Sequence, residues 1–124
     1  MRNDSPALRE ATKAFCTSLL SQIIDPMRLA ARHHGYAIAV HGSLARDIDL
    51  IACPWREHNV SPPDELVKAL CGAIGGITGS CLRQSEKTDK PHGRIAYTLI
   101  HGGFIGEIDL SVMPSITKEK TDAS

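Results

Sequence analysis

The chain has no excess of charge of either sign. Its 14 lysines and arginines balance 14 aspartates and glutamates, which argues against a general nucleic-acid footprint and leaves only a local basic patch open. It has no apolar run near the roughly 18 residues that a membrane span needs. It has no Cys-x-x-Cys pair. Cys16, Cys53, Cys71 and Cys81 stand apart, with no histidine at zinc spacing, so they read as single thiols rather than a metal knot. Cys53 is the one to watch, because strand alternation puts it on an acidic face. The N-terminus, MRNDSPALRE, carries an acid and a proline where a signal peptide needs an apolar stretch, and a cytosolic protein is expected. There is no linker and no long internal repeat. The expectation is one domain over residues 1–114 and a polar, disordered tail over 115–124.

What the chain does have is 42% apolar residues, enough for an ordinary core, and a short acidic motif that occurs twice. In HGSLARDIDLIACPW, from His41 to Trp55, a Gly-Ser turn leads into Asp47-Ile48-Asp49-Leu50. A strand turns successive side chains to opposite faces, so Asp47 and Asp49 share one face and Ile48 and Leu50 the other. Neighbouring carboxylates repel unless they are solvated or share a cation. Glu107-Ile108-Asp109-Leu110 repeats the pattern, and each copy is followed by a short apolar run ending in proline, Pro54 or Pro114. The chain reads as a small sheet that brings two acidic faces together.

The other elements follow from periodicity and punctuation. Residues 6–34 read as helical, with Ser5 as N-cap, Pro6 at the first position and Gly35 as the stop. Asp25-Pro26 leaves open one kinked helix or two in series. His33 and His34 in the last turn suit the helix dipole. Tyr36–Val40 is an apolar strand without alternation, which predicts burial on both faces. The short connection to Asp47–Cys53 predicts an antiparallel hairpin. Ser61-Pro62-Pro63-Asp64 resembles a capping box. Leu66, Val67, Leu70 and Ile74 then form a helix face, and Gly75-Gly76 stop it. Residues 77–93 are polar and mixed, with a short edge strand near Ser80–Gln84, and are long enough for a mobile loop over a site. Arg94–His101 and Ile105–Met113 are strands joined at Gly102-Gly103. The order α-β-β-α-β-β predicts an α+β two-layer sandwich, a mixed or antiparallel sheet of four to five strands with helices on one face. The acids then lie on the other face, because burying them unpaired costs too much.

These residues resemble the nucleotidyltransferase fold of DNA polymerase β and the minimal nucleotidyltransferases. The likeness rests on Gly42-Ser43 after the first strand, Asp47 and Asp49 on the second, and Asp109 on a later one. The whole pattern, with PHGR and EIDLSVMP, also resembles small proteins of phages and prophages. The likeness spans about residues 36–114. It implies that Asp47, Asp49 and Asp109 hold divalent metal, magnesium or manganese, and that Gly42 and Ser43 hold a nucleoside triphosphate. The implied reaction is transfer of a nucleoside monophosphate to an acceptor. Here only Leu44, Ala45 and Arg46 separate Ser43 from Asp47. In the minimal enzymes a longer turn supplies further backbone N–H groups to the phosphates.

Other candidates each have a plainer alternative. Arg46 reaches either a phosphate or a neighbouring acid. Lys90, His92 and Arg94 form a cationic cluster for a triphosphate or a solvated loop. His41 reads as a hydrogen-bonded structural histidine. Trp55 stacks on a base or covers the core. Glu107 is a substitute for Asp109 as third ligand. A chain this short leaves little room for an acceptor domain, so the acceptor site is expected on a protein partner or in a second subunit, as in a homodimer. The rival expectation is an inert relative of the fold, kept as a nucleotide- or protein-binding module, for instance in phage–host interplay.

Overall fold

In the computed structural model, which describes residues 5–103 and 107–115, two helices lie on one face of a six-stranded mixed sheet. The helices are α1, Pro6–His33, and α2, Pro63–Thr78. The strands are β1, Tyr36–His41; β2, Ile48–Pro54; β3, Cys81–Arg83; β4, Thr88–Asp89; β5, Ile95–His101; and β6, Ile108–Val112. The sheet order is β1-β2-β6-β5-β3, with β4 also paired to β5. The architecture is the expected α+β sandwich, with one or two strands more than the sequence predicted.

α1 starts where its residues dictate. Ser5 Oγ accepts from the Leu8 N–H at 3.2 Å, and Pro6 takes the first turn, where no donor is needed. The helix runs through Pro26 as one element, which settles the open choice. It ends as Gly35 takes φ +92 and donates to the Arg32 carbonyl. Its stripe of Cys16, Leu19, Ile23, Met27 and Ala31 is buried, and so are Leu66, Val67, Leu70 and Ile74 of α2. Against them the sheet sets Ile38, Ile48, Leu50, Ala52, Tyr97, Leu99, Ile108, Leu110 and Val112. The opposite face carries no helix among the described residues.

Four expectations need correction. β1 is not buried on both faces. Tyr36 and Ile38 are buried, whereas Ala37, Ala39 and Val40 are exposed, because β1 is an edge strand and small alanines face the open side. The capping box does not form. α2 is preceded by Pro62 with no side-chain cap, Ser61 Oγ instead bonds His34 Nδ1 at 2.7 Å, and Asp64 accepts from the Tyr97 hydroxyl. Gly75 and Gly76 do not stop α2, which continues to Thr78 and turns at Gly79, φ +99. A Cβ at Gly75 would stand 3.3 Å from the Cys81 backbone nitrogen, so its bareness serves the approach of β3 rather than an ending. Finally, the stretch 77–93 holds the expected edge strand as β3, but β4 and a short 3-10 turn at Pro91–Gly93 take the place of the expected loop after it. Residues 104–106 and the tail from 116 lie outside the described residues, so the two-residue hairpin turn, the start of the return strand and the disorder of the tail are not addressed.

The pairing that matters most is β2 with β6. They run parallel, with Ile48 opposite Ile108, Asp49 opposite Asp109 and Leu50 opposite Leu110. The two copies of the acid-Ile-Asp-Leu motif lie side by side in register. Ile48 N donates to the Glu107 carbonyl at one end, and Met113 N to the Ala52 carbonyl at the other.

Candidate active site

One row of side chains crosses four strands of the open face. His41 of β1 pairs Asp49 of β2, Asp49 pairs Asp109 of β6, and Asp109 pairs Thr98 of β5. All four positions share a face by the strand period, and Asp49 and Asp109 are half-buried. Apolar partners in the same motif, Ile48, Leu50, Ile108 and Leu110, are fully buried. Burial of these four pins the register, because a slip by one residue would turn them to solvent and the acids into the core.

The turn before β2 brings Gly42 against Asp49. Gly42 has φ +81, and a Cβ there would stand 2.5 Å from Asp49 Oδ2. Only glycine fits both the backbone angle and the space. Ser43 Oγ accepts from the Ala45 N–H at 3.2 Å, which closes the turn upon itself. Leu44 follows with φ 62. The Arg46 carbonyl accepts from the Cys16 thiol of α1 at 3.7 Å, tying the turn to the helix layer. The Arg46 side chain is exposed, and Asp47 lies in this turn, one residue before β2 begins.

Asp47 is nonetheless near enough to be felt. The Asp109 carboxyl is held above the usual carboxylate range, first by burial, then by the charges of Asp47, Asp49 and Glu107, and by its hydrogen bond with Asp49. The Cys16 thiol is likewise pushed up by burial and by Asp47. Three acids thus act on the Asp109 carboxyl.

A polar cleft of about 380 Å³ opens beside Asp109. Arg94, Lys90, Thr98 and Ser111 are among its lining residues, with Gln84, Glu86 and Thr88 from the β3–β4 segment. Arg94 Nη1 donates to Ser111 Oγ at 2.9 Å, which ties the guanidinium to β6 two residues beyond Asp109. Lys90 is exposed, and its backbone N–H bonds the Arg94 carbonyl at 2.7 Å, closing the 3-10 turn between them. His92 stands exposed in that turn with φ 67.

Of the sequence candidates, the structure therefore brings Asp109, Lys90 and Arg94 to one cleft, and sets Asp47, Asp49, Gly42 and Ser43 on the β2 side of Asp109. His41 sits beside Asp49 in the row. Glu107 is exposed just ahead of β6. Cys53 is exposed on the Asp49 face, as alternation predicted. Trp55 does not join them. It follows the opposite end of β2, half-exposed, with the Arg56 guanidinium 5.1 Å over its ring. The sequence reading did not name Ser111, Thr98 or Gln84 as site residues, although it set Ser111 on the face of Glu107 and Asp109. Alternation in RIAYTLIH and EIDLSV places the first two on the acidic face and was the available signal.

The donor set suits a hard divalent cation, since carboxylate oxygens face it without sulfur. Among the described residues no three His, Cys, Asp or Glu side chains stand together as a metal-holding group. Two carboxylates suffice for magnesium, which keeps several waters and takes its other ligands from phosphates. Asp49 and Asp109 are such a pair by register.

No protein-family model matches the chain, and no curated protein matches it. Among solved structures, a mutant of mtPAP in complex with ATPgammaS is similar over 95% of this chain, with a TM-score of 0.36 and 15% identity. The chain spans 33% of the length of that one.

Proposed function

We propose that this domain binds a nucleoside triphosphate with a divalent cation, magnesium or manganese, on the open face of its sheet, and transfers a nucleotidyl group from it to an acceptor. The observation that carries the reading is the parallel register of β2 and β6, which sets Asp49 beside Asp109 on an uncovered face. A structural role for these acids would be better served by spacing them apart or pairing each with a cation of its own. The Arg94–Lys90 cleft next to them supplies positive charge where a phosphate chain would lie.

In this reading Asp49 and Asp109 hold the cation, and Asp47 adds charge from the turn. The cation, when bound, neutralises the phosphates and orients them for in-line displacement. Arg94, tied to Ser111, holds a phosphate oxygen in a fixed direction, whereas Lys90 acts as a more mobile point charge. Gly42 lets the backbone of the turn approach Asp49 closely. Phosphoryl transfer needs positioning and charge neutralisation more than covalent help, and these residues offer both.

A second reading is favoured by the Ser43 hydroxyl, which closes its own turn instead of facing the cleft. In that reading the same face binds a nucleotide or a protein without chemistry. A thermal shift with each nucleoside triphosphate separates the outcomes, run with and without magnesium or manganese on the wild type and on Asp49→Asn. A ligand at 100 times its dissociation constant adds about 2.7 kcal/mol, a shift of several degrees for a domain of this size. The expected result is a metal-dependent shift that Asp49→Asn abolishes. A shift that survives Asp49→Asn favours the binding module, and no shift with any triphosphate overturns nucleotide binding.

A further inference from the structure

On the side of β2 opposite β6, the sheet ends in β1, which no further strand covers among the described residues. The Trp55 N–H bonds the Gly35 carbonyl, and this fixes the phase of the antiparallel ladder. Alternate residues turn their backbone groups the same way. Ala37, Ala39 and His41 therefore point to β2, and the N–H and C=O groups of Tyr36, Ile38 and Val40 point away from it, to the free edge. An edge of this kind is a template for another strand.

Beside that edge runs a groove of about 320 Å³, lined by Arg28 and Arg32 of α1, by Tyr36, Ala37 and Ile38 of β1, and by Trp55. Arg28 and Arg32 are one helical turn apart and face the same side. Both are exposed, and among the described residues neither is held by a carboxylate. The groove thus combines unpaired backbone groups, an apolar floor, a half-exposed tryptophan and two cations on one wall.

We propose that this groove takes an extended acidic peptide, which adds to the sheet as a strand against β1 and sets alternate carboxylates against Arg28 and Arg32. Main-chain bonds to Tyr36, Ile38 and Val40 give the affinity, and the arginines give the choice of partner. Charge complementarity selects this occupant over a second copy of the chain. Antiparallel β1–β1 pairing would bring the arginine pairs of two copies to one seam, where like charges oppose association. The groove shares no lining residue with the cleft beside Asp109, so the inference stands apart from nucleotide binding.

The test uses a blocked heptapeptide in which glutamate alternates with valine, and a control with lysine in place of glutamate. Binding is read by fluorescence anisotropy of the labelled peptides and by amide shifts in the protein. The expected result is binding of the glutamate peptide, with the largest amide shifts at Tyr36, Ile38 and Val40. The double variant Arg28→Glu, Arg32→Glu should weaken it by at least about tenfold and favour the lysine peptide instead. The proposal is overturned by no binding of the glutamate peptide, by shifts confined to residues outside the groove, or by affinity unchanged in the double variant. Sedimentation showing a dimer closed through this edge would also overturn it. The wild-type amide map decides the matter even if the double variant fails to fold.

Discussion

Asp64 and Asp109 are acids on the two faces of one sheet, and their surroundings are opposite. Asp64 opens α2, accepts from the Tyr97 hydroxyl at 2.7 Å, and is flanked by Arg83 Nη1 at 3.1 Å and Lys87 Nζ at 3.2 Å. Its carboxyl is held below the usual carboxylate range, by the Tyr97 hydrogen bond first and Lys87 next. The start of a helix favours its charge too. Asp109 is surrounded by acids and lies above that range. The first carboxylate ties α2 to β3 and β5, and its charge is answered within the fold. The second is set where the fold itself makes its charge unfavourable. Such a residue is a candidate for completion by something from outside, and the contrast sets a scaffold acid against a candidate-site acid.

The sharpest break in this contrast is Gly42→Ala. The new Cβ meets Asp49 Oδ2 and sits at φ +81, so the turn is strained by about 1–3 kcal/mol and the Asp49 carboxylate is driven from its place beside Asp109. Chemical denaturation should show the loss, and nucleotide-dependent thermal shifts should vanish with it, while the Asp64 network is untouched. An unchanged denaturation midpoint would mean that the Gly42 turn is softer than its geometry implies.

A smaller effect is expected at Tyr97→Phe. It leaves the buried ring and removes the hydroxyl that Asp64 accepts from, at a cost of about 1 kcal/mol. Burial and the Asp64 charge now hold the Tyr97 phenol well above its ordinary value. Tyr97 also lines the cleft beside Asp109, but its ring stays in place, so the nucleotide-dependent shift that Gly42→Ala abolishes should persist.

Smallest, and most telling, is the same change made twice. Asp64→Asn breaks two exposed ion pairs and should destabilise by well under about 1 kcal/mol. Asp109→Asn relieves repulsion and should raise the melting temperature slightly in the absence of metal. Opposite signs would confirm the contrast, and equal signs would dissolve it. Acid titration of stability adds a second reading. Folding favours ionised Asp64, so its contribution is present above about pH 4 and is lost as pH falls through its lower folded value. Ionised Asp109 opposes folding, so stability is regained as pH falls through its raised value. Asp64→Asn should flatten the acid limb and Asp109→Asn should steepen it.

Much of this was legible in the sequence. α1, its Ser5 cap and its Gly35 stop follow from local chemistry, and the β1–β2 hairpin from a connection too short for anything else. The repeated acid-Ile-Asp-Leu motif announced that two acidic strands would meet, but not that they would run parallel. That depends on β5 and α2, which route the chain back in the same direction. The failures have a common cause, since local preference gave way to a partner distant in sequence. Ser61 caps nothing because His34 claims its hydroxyl. Asp64 belongs to Tyr97, Arg83 and Lys87. The glycines of α2 admit β3 instead of ending the helix. The burial of β1 was misjudged because apolar alanines fit an exposed edge as easily as a core.

The parallel register also orders events during folding. Asp49 and Asp109 belong to neighbouring strands, yet the chain must pass through α2, β3, β4 and β5 before β6 can dock against β2. Contacts of such long sequence separation close late and at a high entropic cost. The hairpin and the helices can form without them. The two halves of the site therefore meet only when the last strand is in place, and a chain arrested or cleaved before β6 would carry Asp49 with no counterpart. On the proposed function, cation binding between these two acids would itself report that the sheet is complete.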